Sequence, residues 1–248
     1  MRTFLILGFC LCFFISCQTS TVPGDGGVVA TNAWTAAYAL AAGASDVRIL
    51  TPYEMIHPSE YELRPSDITQ LSDAKVIIYA GYEVMIQQIR TSLDVSEQNM
   101  LQIHTSYNLD EIEASVMKIA NRLGTEELAK TNLDEIRMQM EEAKVLVSEH
   151  GLNEDISVVH FFQQSFASEA GIKIEAIFGP APPEPRQIAE VARTNASLII
   201  DNAHNPTAGA LTAVLPEATY LVLLNFPGLH GTRTIQDVIE YNIRQLVE

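Results

Sequence analysis

The chain has 248 residues, 47% of them hydrophobic, and a formal net charge of −16. So acidic a balance excludes a nucleic-acid binder, which needs a basic surface against phosphate, while the apolar fraction suffices for a sizeable core. All three cysteines, Cys10, Cys12 and Cys17, lie within the first 17 residues, so the rest of the chain can form no disulfide, thiolate zinc ribbon or iron–sulfur cluster and must build any metal site from imidazole, carboxylate, carbonyl or water.

Met1-Arg2 is a short basic start, and "TFLILGFCLCFFIS" is an apolar run too short to span a bilayer comfortably. Ser16 before Cys17 resembles a relaxed bacterial lipobox, with Phe14 where Leu is usual. The expectation is a signal peptide over 1–16 and acylation of Cys17, with 17–27 as a lipid-anchored tether. An ordinary secretory signal or an uncleaved anchor is the plain alternative. About 230 residues remain, enough for one large domain or two lobes.

Short apolar runs then alternate with helical patterns. "GGVVAT" reads as a strand feeding the alanine-rich helix "NAWTAAYALAAG", with Gly43 as its C-cap. "DVRILTP" is a strand that opens into a loop holding His57. "RPSDITQLSD" starts a helix that Ser66 can cap. "KVIIYAG" is a strand, "YEVMIQQIRTSL" a helix and "MLQIHT" a short strand. This alternation predicts parallel βαβ units. "LDEIEASVMKIANRLG" is helical up to Gly124. From residue 125 to His150 the chain then runs without Gly or Pro, with Leu128, Leu133, Ile136, Met140, Ala143 and Val147 near helical spacing. Some 26 residues at about 1.5 Å each give nearly 40 Å, long for a helix covering one sheet, so it reads as a connector between lobes.

The rhythm restarts with strand "DISVVH", helix "FFQQSFASEAG", strand "IKIEAIFG", helix "PEPRQIAEVARTN", strand "ASLIID" and helix "NPTAGALTAVL". "ATYLVLLN" is the last strand, "FPGLHGT" a loop and "TIQDVIEYNIRQLVE" the final helix. The expected class is α/β, with two βα sandwich lobes of mainly parallel sheets joined by one long linking helix. The N-terminal lobe spans 28–124, the linking helix 125–150 and the C-terminal lobe 151–248.

Open parallel sheets bind ligands beyond the carboxyl ends of their strands, and candidate groups stand there in both halves. His57 follows one strand, His160 closes another, Asp201 and His204 follow a third, and His230 lies in the loop after the last. Several imidazoles without cysteine favour a borderline cation such as Zn²⁺. A single histidine is more often a surface or capping residue, which is the reading for His104 and His150. Asp201 could equally be a helix N-cap. His57 and His160 stand out through equivalent placement in the two halves. The chain carries no G-x-S-x-G elbow, no H-E-x-x-H helix and no P-loop.

Longer stretches resemble the bacterial metal-binding lipoproteins that serve zinc and manganese ABC importers. "VVATNAWTAAYALAAGASDVRILTP" is similar to that family's opening strand–helix–strand. "HPSEYELRPSDITQLSDAKVIIYAGYE" resembles its first-histidine signature, and "VVHFFQQSFASEAG" its second, with Gly171 eleven residues after His160. "IANRLGTEELAKTN" is similar to the start of its lobe-linking helix. The resemblance implies metal held between two lobes, with His57 and His160 as ligands. The family's third ligand falls at Asp201 and its fourth, an Asp, near Asn225; His204 or His230 would complete the shell. Two extra residues between His57 and the Tyr-Glu pair, and the missing His/acid-rich loop, depart from the pattern. The expected protein is no enzyme. It is a monomer in the cell envelope, lipid-anchored on the periplasmic or extracellular side of the cytoplasmic membrane. It would carry Zn²⁺, or else Mn²⁺, as cargo for an ABC permease, with affinity falling as pH drops through about 6. A metal-dependent hydrolase and an adhesin-type surface lipoprotein are the alternatives.

Overall fold

The computed structural model describes residues 27–92 and 95–247. Cys17, the leader and the tether up to residue 26 lie outside the described residues. Among those described, no helix is long and apolar enough to cross a membrane.

The N-terminal half contains strands β1 (Val28–Ala30), β2 (Val47–Ile49), β3 (Val76–Tyr79) and β4 (Met100–Gln102) and helices α1 (Ala33–Ala41), α2 (Pro65–Ser72), α3 (Met85–Ser92) and α4 (Leu109–Leu123). Helix α5 (Glu126–Glu149) follows. The C-terminal half contains β5 (Ser157–His160), β6 (Ile174–Phe178), β7 (Leu198–Asn202), β8 (Thr219–Leu223) and β9 (Pro227–His230). Its helices are α6 (Gln164–Glu169), α7 (Pro185–Ala192), α8 (Gly209–Val214) and α9 (Ile235–Val247). The expected two-lobed α/β class is what forms. Each half holds a four-stranded parallel sheet, in the orders β2-β1-β3-β4 and β6-β5-β7-β8. Relative to their own first strands the two orders are the same.

Side chains alternate across each sheet, as the two-residue strand period requires. Val28, Val76, Ile78, Val159, Leu198 and Ile200 all enter one large core shared by both halves. Their neighbours on the opposite faces enter two separate cores, with Val29, Ile77 and Tyr79 in one and Val158 and Ile199 in the other. Both faces of each sheet are therefore covered, the usual condition of parallel sheets.

Helix α5 runs along the shared core. Its buried positions, Ala129, Leu133, Ile136, Met140, Ala143 and Val147, form a seam at alternating four- and three-residue steps, and it packs on α9, α4 and α1. Leu128, which the spacing places in that seam, is 52% exposed; Ala129 takes the inward position, and Leu128 instead lies over Gly43. Gly124 ends α4 at φ 73°, a left-handed C-cap that turns the chain into α5.

Two further details differ from the sequence expectation. Ser66 does not cap α2: Pro65 occupies the first turn, and the Asp67 carboxylate accepts from Arg64 N–H at 2.7 Å. The stretch after the last sheet strand is not a plain loop but contains the short extended segment β9, outside both sheets.

The halves are fastened together beyond α5. Trp34 of α1 stacks between Tyr107 and Phe226, at 6.1 and 5.9 Å between ring centroids. Tyr107 N–H donates to Ser165 Oγ, and Glu169 Oε1 accepts from Asn108 Nδ2 and Leu109 N–H, joining the start of α4 to α6. On the other side, Tyr53 O–H donates to the Arg233 carbonyl, and the Arg233 guanidinium lies 5.0 Å above the Tyr53 ring.

Candidate metal centre

His57 leads into a single 3-10 turn, Pro58–Glu60, beyond the carboxyl end of β2, and its side chain is exposed. Buried Pro58 and Tyr61 root the turn, Tyr61 O–H donates to Asp67, and Val84 N–H donates to the Ser59 carbonyl at 3.0 Å. The loop after β3 thus fixes the segment that carries His57.

His204 approaches from the other half, in the turn after β7. It is 3% exposed and its ring stacks on Phe226 at 3.6 Å between centroids. Asn225 N–H points at its Nδ1 at 3.4 Å, the outer edge of a hydrogen bond. Its Nε2 is buried and has no hydrogen-bond partner, and neither has the buried Oδ1 of Asn225. Burial lowers the His204 pKa to about 4, helped by repulsion from His57 and then His230. His230 itself is exposed, at φ 53°, with its ring stacked on Tyr241 at 4.8 Å. Asn242 of α9 holds both backbone groups of Leu224, at 2.8 and 2.9 Å, and so anchors the segment that carries Asn225 and Phe226.

His160 and Asp201 have other surroundings. His160 is fully buried at the end of β5, edge-on to Phe178 and tilted against Phe162. Its Nδ1 accepts Phe162 N–H at 3.1 Å, so the neutral ring carries its proton on Nε2. That nitrogen abuts the backbone of Gly179, where a Cβ would collide with it. In this arrangement the ring closes the β5–α6 turn, and its Nε2, like that of His204, is buried without a hydrogen-bond partner. Asp201 accepts four donors: Asn202 N–H and Thr207 N–H on Oδ1, and Ala208 N–H and Tyr220 O–H on Oδ2, at 2.8 to 3.2 Å. Those fill the lone pairs of a carboxylate and shape the turn into α8. His104 and His150 are exposed, and His150 Nδ1 meets the Leu146 carbonyl at the end of α5. As the side chains stand, no three or more His, Cys, Asp or Glu among the described residues are gathered closely enough to hold a metal ion.

The residue that sequence reasoning passed over is Glu83. It is 4% exposed and ties together the loops after β1 and β3. The available signal was a carboxylate two residues after the Gly of a strand-ending Tyr-x-Gly.

Burial lowers the pKa of both His160 and His204, with Asp201 partly offsetting the effect at His160. An unfolded histidine titrates near 6.5, so between that value and about 4 the unfolded chain binds more protons than the folded one. Stability is then complete above the unfolded value and is lost as pH falls through the window. The urea midpoint of the chelator-treated protein is expected to drop from pH 7 to pH 5, and His204→Phe should flatten that drop. A midpoint independent of pH over this range would contradict the buried, neutral state of these rings.

No protein-family model and no curated protein matches the sequence. Solved structures match its fold. The SBP FpvC in complex with Ni²⁺, from P. aeruginosa, gives a TM-score of 0.66 over 89% of this chain and 93% of its own, at 16% identity. The Mn-bound periplasmic metal binding protein from candidatus liberibacter asiaticus gives 0.68 over 89% and 97%, at 13% identity. The laminin-binding protein Lbp of Streptococcus pyogenes gives 0.67 over 89% and 98%, at 18% identity. The chain therefore shares the two-lobed α/β fold of these structures. At these identities the likeness is one of fold, and it extends over nearly the whole of each matched chain.

Proposed function

We propose that the protein captures a divalent transition-metal cation, with Zn²⁺ as the leading candidate and Mn²⁺ second, between its two halves and delivers it to the permease of an ABC importer. The observation that carries this reading is a pair of buried, unpartnered imidazole nitrogens, Nε2 of His204 and Nε2 of His160. A buried polar atom without a partner costs free energy unless something fills the place, and a ring with so low a pKa is neutral at pH 7, the form a metal requires. His160, whose Nε2 is likewise buried and unpartnered, and Asp201 complete the proposed ligand set with His57 and His204. His230 and the buried, unpartnered Oδ1 of Asn225, whose N–H faces His204, are candidate additional donors.

Binding at His204 Nε2 requires its proton on Nδ1, which displaces the weak Asn225 N–H contact. The Leu224–Arg233 segment would therefore shift when metal enters, a change a permease could read. The metal-bearing solved structures of the same fold favour cargo over catalysis. The leader favours a lipid anchor at Cys17 and a place on the outer side of the cytoplasmic membrane.

The test is titration of the full, chelator-stripped chain with Zn²⁺ against a chromophoric competitor, repeated with Mn²⁺. One equivalent of tight binding is expected, with Co²⁺ substitution giving the visible bands of a nitrogen-rich site. If neither cation binds stoichiometrically, the reading fails.

A further inference from the structure

The order β2-β1-β3-β4 places a switch point between β1 and β3, where the crevice of an open parallel sheet ordinarily receives a ligand. Here the protein fills that crevice with its own buried carboxylate. Glu83 Oε1 accepts from Thr31 O–H at 2.6 Å, Asn32 Nδ2 at 3.2 Å and Ala80 N–H at 2.9 Å, and Oε2 accepts from Gly81 N–H at 2.7 Å.

Two lines of contact leave this point. The next residue, Val84, donates its N–H to Ser59, two positions after His57. Asn32 is the N-cap of α1, accepting from Thr35 N–H, and α1 carries Trp34, which stacks on Phe226, which in turn stacks on His204.

We propose that Glu83 is a positioning residue for the cation site: its carboxylate sets the His57 turn and the seat of His204 at once, without touching the cargo. This rests on the proposed function, since it takes His57 and His204 as ligands. A charged, four-times hydrogen-bonded carboxylate suits the task because losing it frees donors on both loops together. Loss of such a supporting partner typically weakens metal binding by about 10–100-fold.

The experiment combines Zn²⁺ affinity of the full chain with hydrogen–deuterium exchange of the metal-free protein, on Glu83→Ala and the gentler Glu83→Gln. Glu83→Ala should weaken Zn²⁺ binding by about tenfold or more and speed exchange in peptides covering 55–62 and 31–38, while peptides from β5 to β7 stay as protected as before. Glu83→Gln keeps one acceptor oxygen but turns an amide toward Gly81 N–H or its neighbours, so it should show the same pattern at smaller size. It also serves if the alanine variant does not fold. Unchanged exchange in 55–62 for a folded variant would overturn the positioning role. Faster exchange there with undiminished Zn²⁺ affinity would leave the loop anchoring intact and refute His57 as a ligand, and with it the link to the cation site.

Discussion

Replacing His204 by phenylalanine should abolish stoichiometric Zn²⁺ binding, a loss on the order of 100-fold or more, while leaving the fold at least as stable as before. The physical reason is that the two properties separate at this residue. The ring contributes a 3.6 Å stack on Phe226, which phenylalanine keeps. The nitrogens contribute one long contact and one orphaned atom, and removing an unsatisfied buried polar atom costs little or is favourable. The same exchange at His160 should also weaken Zn²⁺ binding and, unlike the His204 change, destabilise the fold by losing the Nδ1 acceptor that holds Phe162 N–H. Competition titration and urea unfolding on both variants check the pair. If the His160 variant alone loses metal, His204 is not a ligand.

Replacing Trp34 by alanine should cost about 3–5 kcal/mol of unfolding free energy, the range for deleting a large buried aromatic ring. Trp34 is the one tryptophan of the sequence, so unfolding must be followed by circular dichroism rather than by indole emission. The urea midpoint should fall with the slope unchanged. Because Trp34 lies between Tyr107 and Phe226, the variant should also bind Zn²⁺ more weakly, through the loosened support of His204. A loss below about 1 kcal/mol, the size of an ordinary surface change, would mean that α5 and the latches at Glu169 and Tyr53 suffice to unite the halves.

The architecture was legible because its signals are local. Runs such as "VIIY" and "LIID", with a glycine, asparagine or acidic residue within three positions of each end, can be read as strands without knowing their neighbours. The uninterrupted stretch before His150 likewise announces a long helix. Seam phase was less certain: Leu128 and Ala129 are both apolar, and only packing against the shared core decides which turns inward. The site was legible only as a set of strand ends. Whether a strand-end ring faces the gap depends on residues distant in sequence. Gly179 and Phe178 close around His160, and Thr207, Ala208 and Tyr220 converge on Asp201. No spacing rule contains that information. Glu83 escaped notice for the same reason, since a lone carboxylate after a strand looks like a solvated turn residue until its four donors are seen.

If the protein carries a cation as proposed, the single apolar interior shared by the two sheets bears on how that cargo could leave. Swinging the halves apart like jaws would bring Trp34, Tyr107 and Phe226 into water, at roughly 25 cal/mol for each Å² of apolar surface uncovered. Release is cheaper if the scaffold stays shut and the strip from Leu224 to Arg233 peels back, so residence time would be set by that strip and shortened by whatever grips it from outside.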